Sequence, residues 1–222
     1  MSEVPLLLFG AGGHAHALLA VLERHAGFTP VGLIDSFQTP GTLAHGIPVL
    51  GGESDLPQLC QSHGVHHLLV AIGANLQRQA ITRRLAACLP DVMFPALIDP
   101  TAVVAADAHL GAGAVVMAQA HVGAGCELGE GVLVNTRASL DHDSRLDAFA
   151  SLAPGVIAGG RVWIGERSAI GLGAMLRNDI GIGADTVVGA GSLVLGDLAA
   201  GVMAYGAPAL VIRSRQPDEP YL

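Results

Sequence analysis

The 222-residue sequence predicts two folds in series, a short α/β domain of Rossmann type followed by a parallel β-helix. The β-helix prediction rests on a six-residue beat. Stepping by six from Val104 reaches Leu110, Val116, Val122, Leu128, Val134, Leu140, Leu146, Leu152, Ala158, Ile164, Ile170, Leu176, Ile182, Val188 and Val194, and all except Ala158 are Leu, Ile or Val. Two residues before each runs a series of small or β-branched residues, from Ala102, Ala108 and Ala114 through Cys126, Ser144 and Ser168 to Thr186 and Ser192. Residues two apart in a strand share a side, so each flat face offers the interior one small and one aliphatic residue. Hexapeptide repeats of this kind mark a parallel β-helix. Glycine follows the aliphatic at Gly111, Gly123, Gly129, Gly159, Gly165, Gly171, Gly183 and Gly189, where a corner or a close backbone approach favours a residue without Cβ.

The α/β prediction rests on alternating strand and helix patterns before residue 100. Residues 4–10 (VPLLLFG) form an apolar run too short for a typical helix, and a helical pattern through Ala17, Leu18, Val21 and Leu22 follows its closing glycine. Further strands are predicted over 30–35 (PVGLID) and 66–73 (HHLLVAIG), with helices over 53–63 and 77–88. Such alternation implies a parallel sheet with crossover helices. The boundaries expected are 1–98 for the Rossmann-like half domain and 99–222 for the β-helix with its C-terminal tail.

Composition narrows the function classes. The net charge is -8 and all eleven basic residues are arginine, so no cationic face for a nucleic-acid partner is expected. Three cysteines, Cys60, Cys88 and Cys126, lack CxxC spacing and fit a reducing cytoplasm, with Cys126 read as a small core residue. No stretch of about 18 apolar residues is present for membrane insertion, and the N-terminal run lacks the basic region of a signal peptide.

The turn Gly10-Ala11-Gly12-Gly13-His14-Ala15 nearly satisfies a dinucleotide fingerprint, and Asp35 stands where a ribose-binding carboxylate would be. Only one mononucleotide half precedes the repeats, which opposes an NAD-dependent oxidoreductase and favours a nucleotide-linked ligand. Free N–H groups at a helix N-terminus suit an anion. His14 and His16 lie at the mouth of this turn and are candidates for ligand contact, whereas His25, His45, His63, His66, His67 and His109 are read as ordinary solvated histidines.

Within the repeats the histidines are His109, His121 and His142. They share neither close spacing nor a coil phase, so no metal site is expected. His142 falls near a corner, flanked by Asp141 and Asp143, and its neighbours one 18-residue coil away are Ala124 and Gly160, both small enough to leave room beside an imidazole. A flanking carboxylate can fix a tautomer or raise basicity. Asn135 and Asp141 replace the usual glycine nearby, and a departure from a regular pattern is expected at a functional site.

The segments GAGGHAHALLAVLE, GIPVLGGESDL, VAIGANLQR, ALIDPTA, LVNTRASLDHDSRL, VGAGSLV and YGAPALVIR, taken together and in order, resemble the bacterial nucleotide-sugar acetyltransferases. That group includes sialic-acid O-acetyltransferases and the bacillosamine and perosamine N-acetyltransferases. The resemblance implies a left-handed β-helix acting as a homotrimer, acetyl-CoA lying between adjacent β-helices, and a nucleotide-linked amino sugar held by the N-terminal domain. It places the catalytic base at His142 and the acidic residue after it at Asp143. Substrate-binding segments match Gly10, Gly12, Gly13, His14, His16, Asp35, Gly73 and Asn75. Many relatives carry a second histidine where this chain has Ser151, and the tail carries Leu210 in place of the usual lysine. Ser151, Gly160, Gly171, Leu172, Gly173 and Ala190 are the candidates for binding acetyl-CoA, the glycines admitting the pantetheine arm, and Arg161, Arg167 and Arg177 could meet its phosphates. The activity implied is acetyl-CoA-dependent N-acetylation of the 4-amino group of a nucleotide-linked amino-deoxy sugar in the cytoplasm, for cell-surface glycan synthesis. Sugar O-acetylation is the alternative, and a noncatalytic β-helix scaffold is a further one.

Overall fold

The computed structural model describes residues 3–25 and 27–221, which form two compact units, 3–73 with 77–95 and 74–76 with 96–221. In the first unit, the apolar run becomes strand β1 (Val4–Phe9), with Leu6, Leu7 and Leu8 wholly shielded from solvent. Helix α1 (Gly13–Leu22) follows the glycine turn, and β2 (Phe28–Ile34) pairs in parallel with β1. A hairpin of β3 (Leu43–Ala44) and β4 (Ile47–Gly51) comes next, then α2 (Leu56–His63), β5 (His67–Val70) and α3 (Asn75–Cys88). The sheet order is β3-β4-β2-β1-β5, parallel except for β3. One mononucleotide half is thus present, and its core joins Leu7, Phe9 and Ile34 of the sheet to Leu56, Cys60 and Leu85 of the helices.

The β3–β4 hairpin is a structural addition to the sequence reading. Its two-residue loop is His45-Gly46, with φ of 53° and 80°, the pair of positive values that a type I′ hairpin turn requires. His45 therefore holds a defined backbone position.

The second unit is a left-handed parallel β-helix. Each coil contributes a two-residue strand to each of three sheets, and partners lie 18 residues apart: His121 pairs with Val103 and Ser139 in the first sheet, Glu127 with His109 and Arg145 in the second, Leu133 with Val115 and Ser151 in the third. Both six-residue series point inward. Val122, Val134, Leu140, Leu152, Ile164 and Val188 are fully buried, as are Ala114, Cys126, Ala138, Ala150 and Ser168 from the small series. Buried hydroxyls in that series bridge coils: Ser168 Oγ donates to Gly183 O at 2.7 Å and accepts from Thr186 N at 3.0 Å, so its burial leaves no orphaned polar atom. The β-helix starts earlier than residue 99, because Leu97–Ile98 already pairs with Val115–Val116 in the third sheet. That sheet ends in an antiparallel hairpin, Val202–Gly206 with Ala209–Ser214.

Candidate functional site

Two places in the chain gather the chemistry. The first is the corner that joins Ser139–Leu140 of the first sheet to Arg145–Leu146 of the second. Asp141 Oδ1 accepts the backbone N–H of His142 at 2.8 Å, which caps the turn where most coils use glycine. Asp143 takes the left-handed position of the corner, φ 56°, a conformation that Asp tolerates better than most residues. From there its Oδ2 lies 2.8 Å from His142 Nδ1. A carboxylate oxygen only accepts, so Nδ1 carries a proton, and in the neutral ring Nε2 then keeps its lone pair. The two flanking acids thus divide the work: Asp141 holds the backbone and Asp143 the ring.

Gly160, one coil on, supplies the space for that ring. A Cβ there would stand 2.6 Å from His142 Nε2 and 2.8 Å from Cε1. The corner is also tied to its neighbours through Arg161 N to His142 O at 2.8 Å, Asp143 N to Ala124 O at 2.8 Å and the thiol of Cys126 to Asp141 O at 3.2 Å. Of the arginines considered for donor phosphates, Arg161 makes a bidentate pair with Asp179 at 2.5 and 2.9 Å, and Arg167 one with Asp185 at 2.7 and 2.6 Å. His109 and His121 point outward from the second and first sheets, and among the described residues no three His, Cys, Asp or Glu side chains gather as a metal site.

Four of the six donor-side candidates line one cavity. Ser151, Gly171, Leu172 and Ala190 surround a space of about 200 Å³ together with Gly189 and Tyr221. It lies where the third sheet turns into the first, a different corner from that of His142. Gly160 belongs instead to the histidine corner. A Cβ on Gly171 would strike Val188 O at 2.6 Å and Ala190 N at 2.7 Å, so the next coil excludes a side chain there. Gly173 is a turn residue with φ 63°.

The second place is the glycine turn of the first unit. Gly10, at φ 106°, holds a backbone conformation that strains any side chain, and a Cβ there would also press on Ala71 O at 3.0 Å. Gly12 and Gly13 are exposed, with open space where a side chain would project. Asp35 closes the turn from β2, accepting Ala11 N–H on Oδ2 at 3.1 Å and Phe37 N–H on Oδ1 at 2.8 Å. Burial, with the positive charge of Arg78 second, pulls the half-buried His14 imidazole down to about 4, so it is neutral at pH 7. Arg78 in turn donates to Ile72 O at 3.1 Å and Gly73 O at 2.7 Å, which commits the Gly73 carbonyl.

Asn75, a candidate for substrate binding, lies inside the protein. It groups with the second unit, fully buried, where its amide nitrogen donates to Ser151 Oγ, Arg167 O and Ser168 O at 3.0–3.1 Å and its backbone N–H donates to Tyr221 Oη at 2.8 Å. These contacts tie the side chain into the second unit. His45, read from the sequence as an ordinary solvated histidine, instead stacks its ring on that of His16 with centroids 4.2 Å apart and planes within 11°. Its Nε2 lies 3.2 Å from Ala11 O. The signal for it was the His-Gly pair between two apolar dipeptides, a hairpin cue that His makes less obvious than Asn or Asp.

Residues 5–85 match the PglD N-terminal domain family. No curated protein matches the chain. Among solved structures, a histidine-to-asparagine variant of perosamine N-acetyltransferase from Caulobacter crescentus, in complex with CoA and GDP-perosamine, is 35% identical with a TM-score of 0.89, covering 96% of this chain and 99% of that one. The acetyltransferase domain of PglB from Neisseria gonorrhoeae, in complex with acetyl coenzyme A, is 37% identical with a TM-score of 0.87 and covers 95% and 100% of the two chains. WeeI from Acinetobacter baumannii, at 21% identity and a TM-score of 0.77 with 95% and 100% coverage, shares the fold. Two relatives above 30% identity across nearly their whole length, with the N-terminal match beside them, settle the kinship: the chain belongs to the family of bacterial nucleotide-sugar N-acetyltransferases that includes the bacillosamine and perosamine enzymes.

Proposed function

We propose that the protein transfers the acetyl group of acetyl-CoA to the 4-amino group of a nucleotide-linked amino-deoxy sugar, with His142 as general base. The observation that carries this reading is the corner where Asp143 holds Nδ1–H and Gly160, lacking a Cβ, leaves room beside Nε2. The neutral sugar amine attacks the thioester carbonyl, forming the C–N bond. Its proton passes to Nε2 of His142. As the tetrahedral intermediate collapses the C–S bond breaks, and the same proton is delivered to the sulfur, so that the products are the amide and free CoA thiol. Asp143 fixes the ring in the tautomer this requires and offsets the charge of the transient imidazolium. Backbone N–H groups at the glycine corners are the candidates for stabilising the oxyanion.

The acceptor nucleotide is assigned to the glycine turn, with Gly12 and Gly13 toward its phosphates, His14 and His16 at the mouth and Asp35 behind. The donor is assigned in part to the cavity beside Ser151, whose 200 Å³ is below the ~300–1,000 Å³ of a pocket that encloses a drug-sized ligand. The C. crescentus relative, crystallised with CoA and GDP-perosamine, supports this pairing of ligands. Thiol release from acetyl-CoA with a panel of UDP-, GDP- and dTDP-linked 4-amino sugars tests the proposal. Turnover with one nucleotide class is expected, and turnover only with hydroxyl acceptors would replace it by O-acetylation.

We also propose that the active form is a homotrimer in the cytoplasm, where acetyl-CoA and reduced thiols such as the three free cysteines belong. The donor cavity and His142 occupy the two edges of the first sheet, so one copy does not bring them together. Between them that sheet exposes neighbouring Ile157 and Met175, at 56 and 43%, with Ser139 and His121 on the strands that lead on to Val103. Packing this face against a neighbour's cavity edge, and closing the ring, joins one copy's base to the next copy's donor. Sedimentation is expected to give three copies, and an active monomer would contradict the assembly.

A further inference from the structure

We propose that His45, outside the expected set of site residues, is a positioning residue for the acceptor nucleotide, an inference that rests on the assignment of that nucleotide to the glycine turn. The Ala11 residue is held at both ends: Asp35 Oδ2 accepts its N–H at 3.1 Å, and its carbonyl oxygen lies 3.2 Å from His45 Nε2. A carbonyl oxygen can only accept, so Nε2 is the protonated nitrogen of His45. The peptide joining Ala11 to Gly12 is planar and trans, which points its C=O and N–H in opposite directions. By drawing the Ala11 oxygen toward the hairpin, His45 aims the Gly12 N–H the other way. Among the described residues no protein acceptor meets that N–H, and Gly12 and Gly13 stand exposed with open space around them.

The hairpin is built to hold this ring. His45 occupies the first positive-φ position of the two-residue loop, 53°, and His16, from the first turn of α1, stacks on it with planes 11° apart. The ring is thus set in plane by His16 and in direction by the turn, and its one hydrogen bond goes to the peptide that orients the Gly12 amide. His45 touches the turn rather than the reacting atoms. Its contribution is preorganisation of a donor that an anionic diphosphate would otherwise have to order on binding.

Calorimetric titration of the full chain with GDP, UDP and dTDP, and separately with CoA, tests this. His45→Phe keeps a flat ring for His16 but has no N–H, and His45→Gln keeps a side-chain N–H without the ring. The expected result is that His45→Phe weakens the bound diphosphate about tenfold, that His45→Gln recovers most of that loss, and that CoA affinity is unchanged in both. Tenfold is about 1.4 kcal/mol, at the upper end of the contribution of one hydrogen bond. Unchanged diphosphate affinity in His45→Phe, or equal losses in both variants, would overturn the role. Gly13→Asp separates the underlying assignment: a carboxylate suits a helix N-terminus and preserves the fold, yet it repels a diphosphate. If Gly13→Asp binds as the parent does, or if the parent binds none of the three nucleotides, the nucleotide is not held at this turn and both readings fall. If Gly13→Asp loses binding while His45→Phe does not, only the role of His45 falls.

Discussion

Replacing His142 by alanine is expected to lower kcat by about 10²- to 10⁴-fold, the usual contribution of a positioned general base, while leaving the melting temperature nearly unchanged. The two halves of that expectation have separate physical causes. The imidazole stands at a corner with its side chain 42% exposed, and its hydrogen-bond partner Asp143 is 63% exposed. Exposed pairs of this kind contribute about 0–1 kcal/mol to stability, and no interior residue loses packing, because the small and aliphatic series that fill the prism lie elsewhere. On the proposed mechanism the same ring is the proton acceptor for the attacking amine, so its loss falls on turnover. Steady-state thiol release beside thermal unfolding checks both halves. Activity within threefold of the parent would remove His142 from the reaction.

Gly160→Ala is expected to produce a similar phenotype without touching any ionisable group. The backbone at Gly160 has no positive φ, so alanine can adopt it, but the new methyl would stand 2.6 Å from His142 Nε2 and 3.0 Å from Cδ2. The neighbour that must yield is the tip of a rotatable side chain rather than a strand of the prism. The fold therefore survives and the ring turns away from both Asp143 and the reacting atoms. Misplacement of a catalytic group by about 1 Å can cost about 10²-fold, and a kcat reduction of that order, with unfolding shifted by only a few degrees, is the expected outcome. A Gly160→Ala enzyme with full turnover would show that Nε2 does not work in the pose the corner gives it. Gly171→Ala makes the contrast, since its methyl would strike the backbone of the next coil and is expected to lower stability first.

The legible and illegible parts of this chain divide by the distance over which information must travel. The interior of the β-helix was readable from residues two and six apart, as Val122, Leu140 and Ala138 show by being wholly buried. His142 was readable for the same reason, because its environment is made by positions at fixed offsets: Asp141 and Asp143 beside it, and Gly160 eighteen residues on. The periodicity could also have been carried back to Ile98, six before Val104, which begins the first coil.

Roles set by irregular contacts were not readable. Asn75 gives no sign in the sequence that its side chain donates to Ser151 and Ser168, 76 and 93 residues away. The glycines after each aliphatic were legible as close backbone approaches, and at Gly171 the backbone approached is that of the following coil. His45 carries no periodic signal at all, since β3 is two residues long and a single turn places its ring on Ala11 and His16. The separation of the Ser151 cavity from the His142 corner is likewise a property of the closed prism, invisible until successive strands are assigned to sheets.

The central claim is that His142 Nε2 removes the proton of the attacking amine, and chemical rescue of His142→Ala with free imidazole tests it most directly. A side chain 42% exposed leaves an opening for imidazole once it is removed, and a small base in solution can then occupy the place of the lost ring. The expected result is that thiol release by His142→Ala rises with imidazole concentration and follows the neutral form of the base as pH is varied. Turnover that stays at the variant's basal level at every imidazole concentration, or that follows the imidazolium form, would contradict the claim.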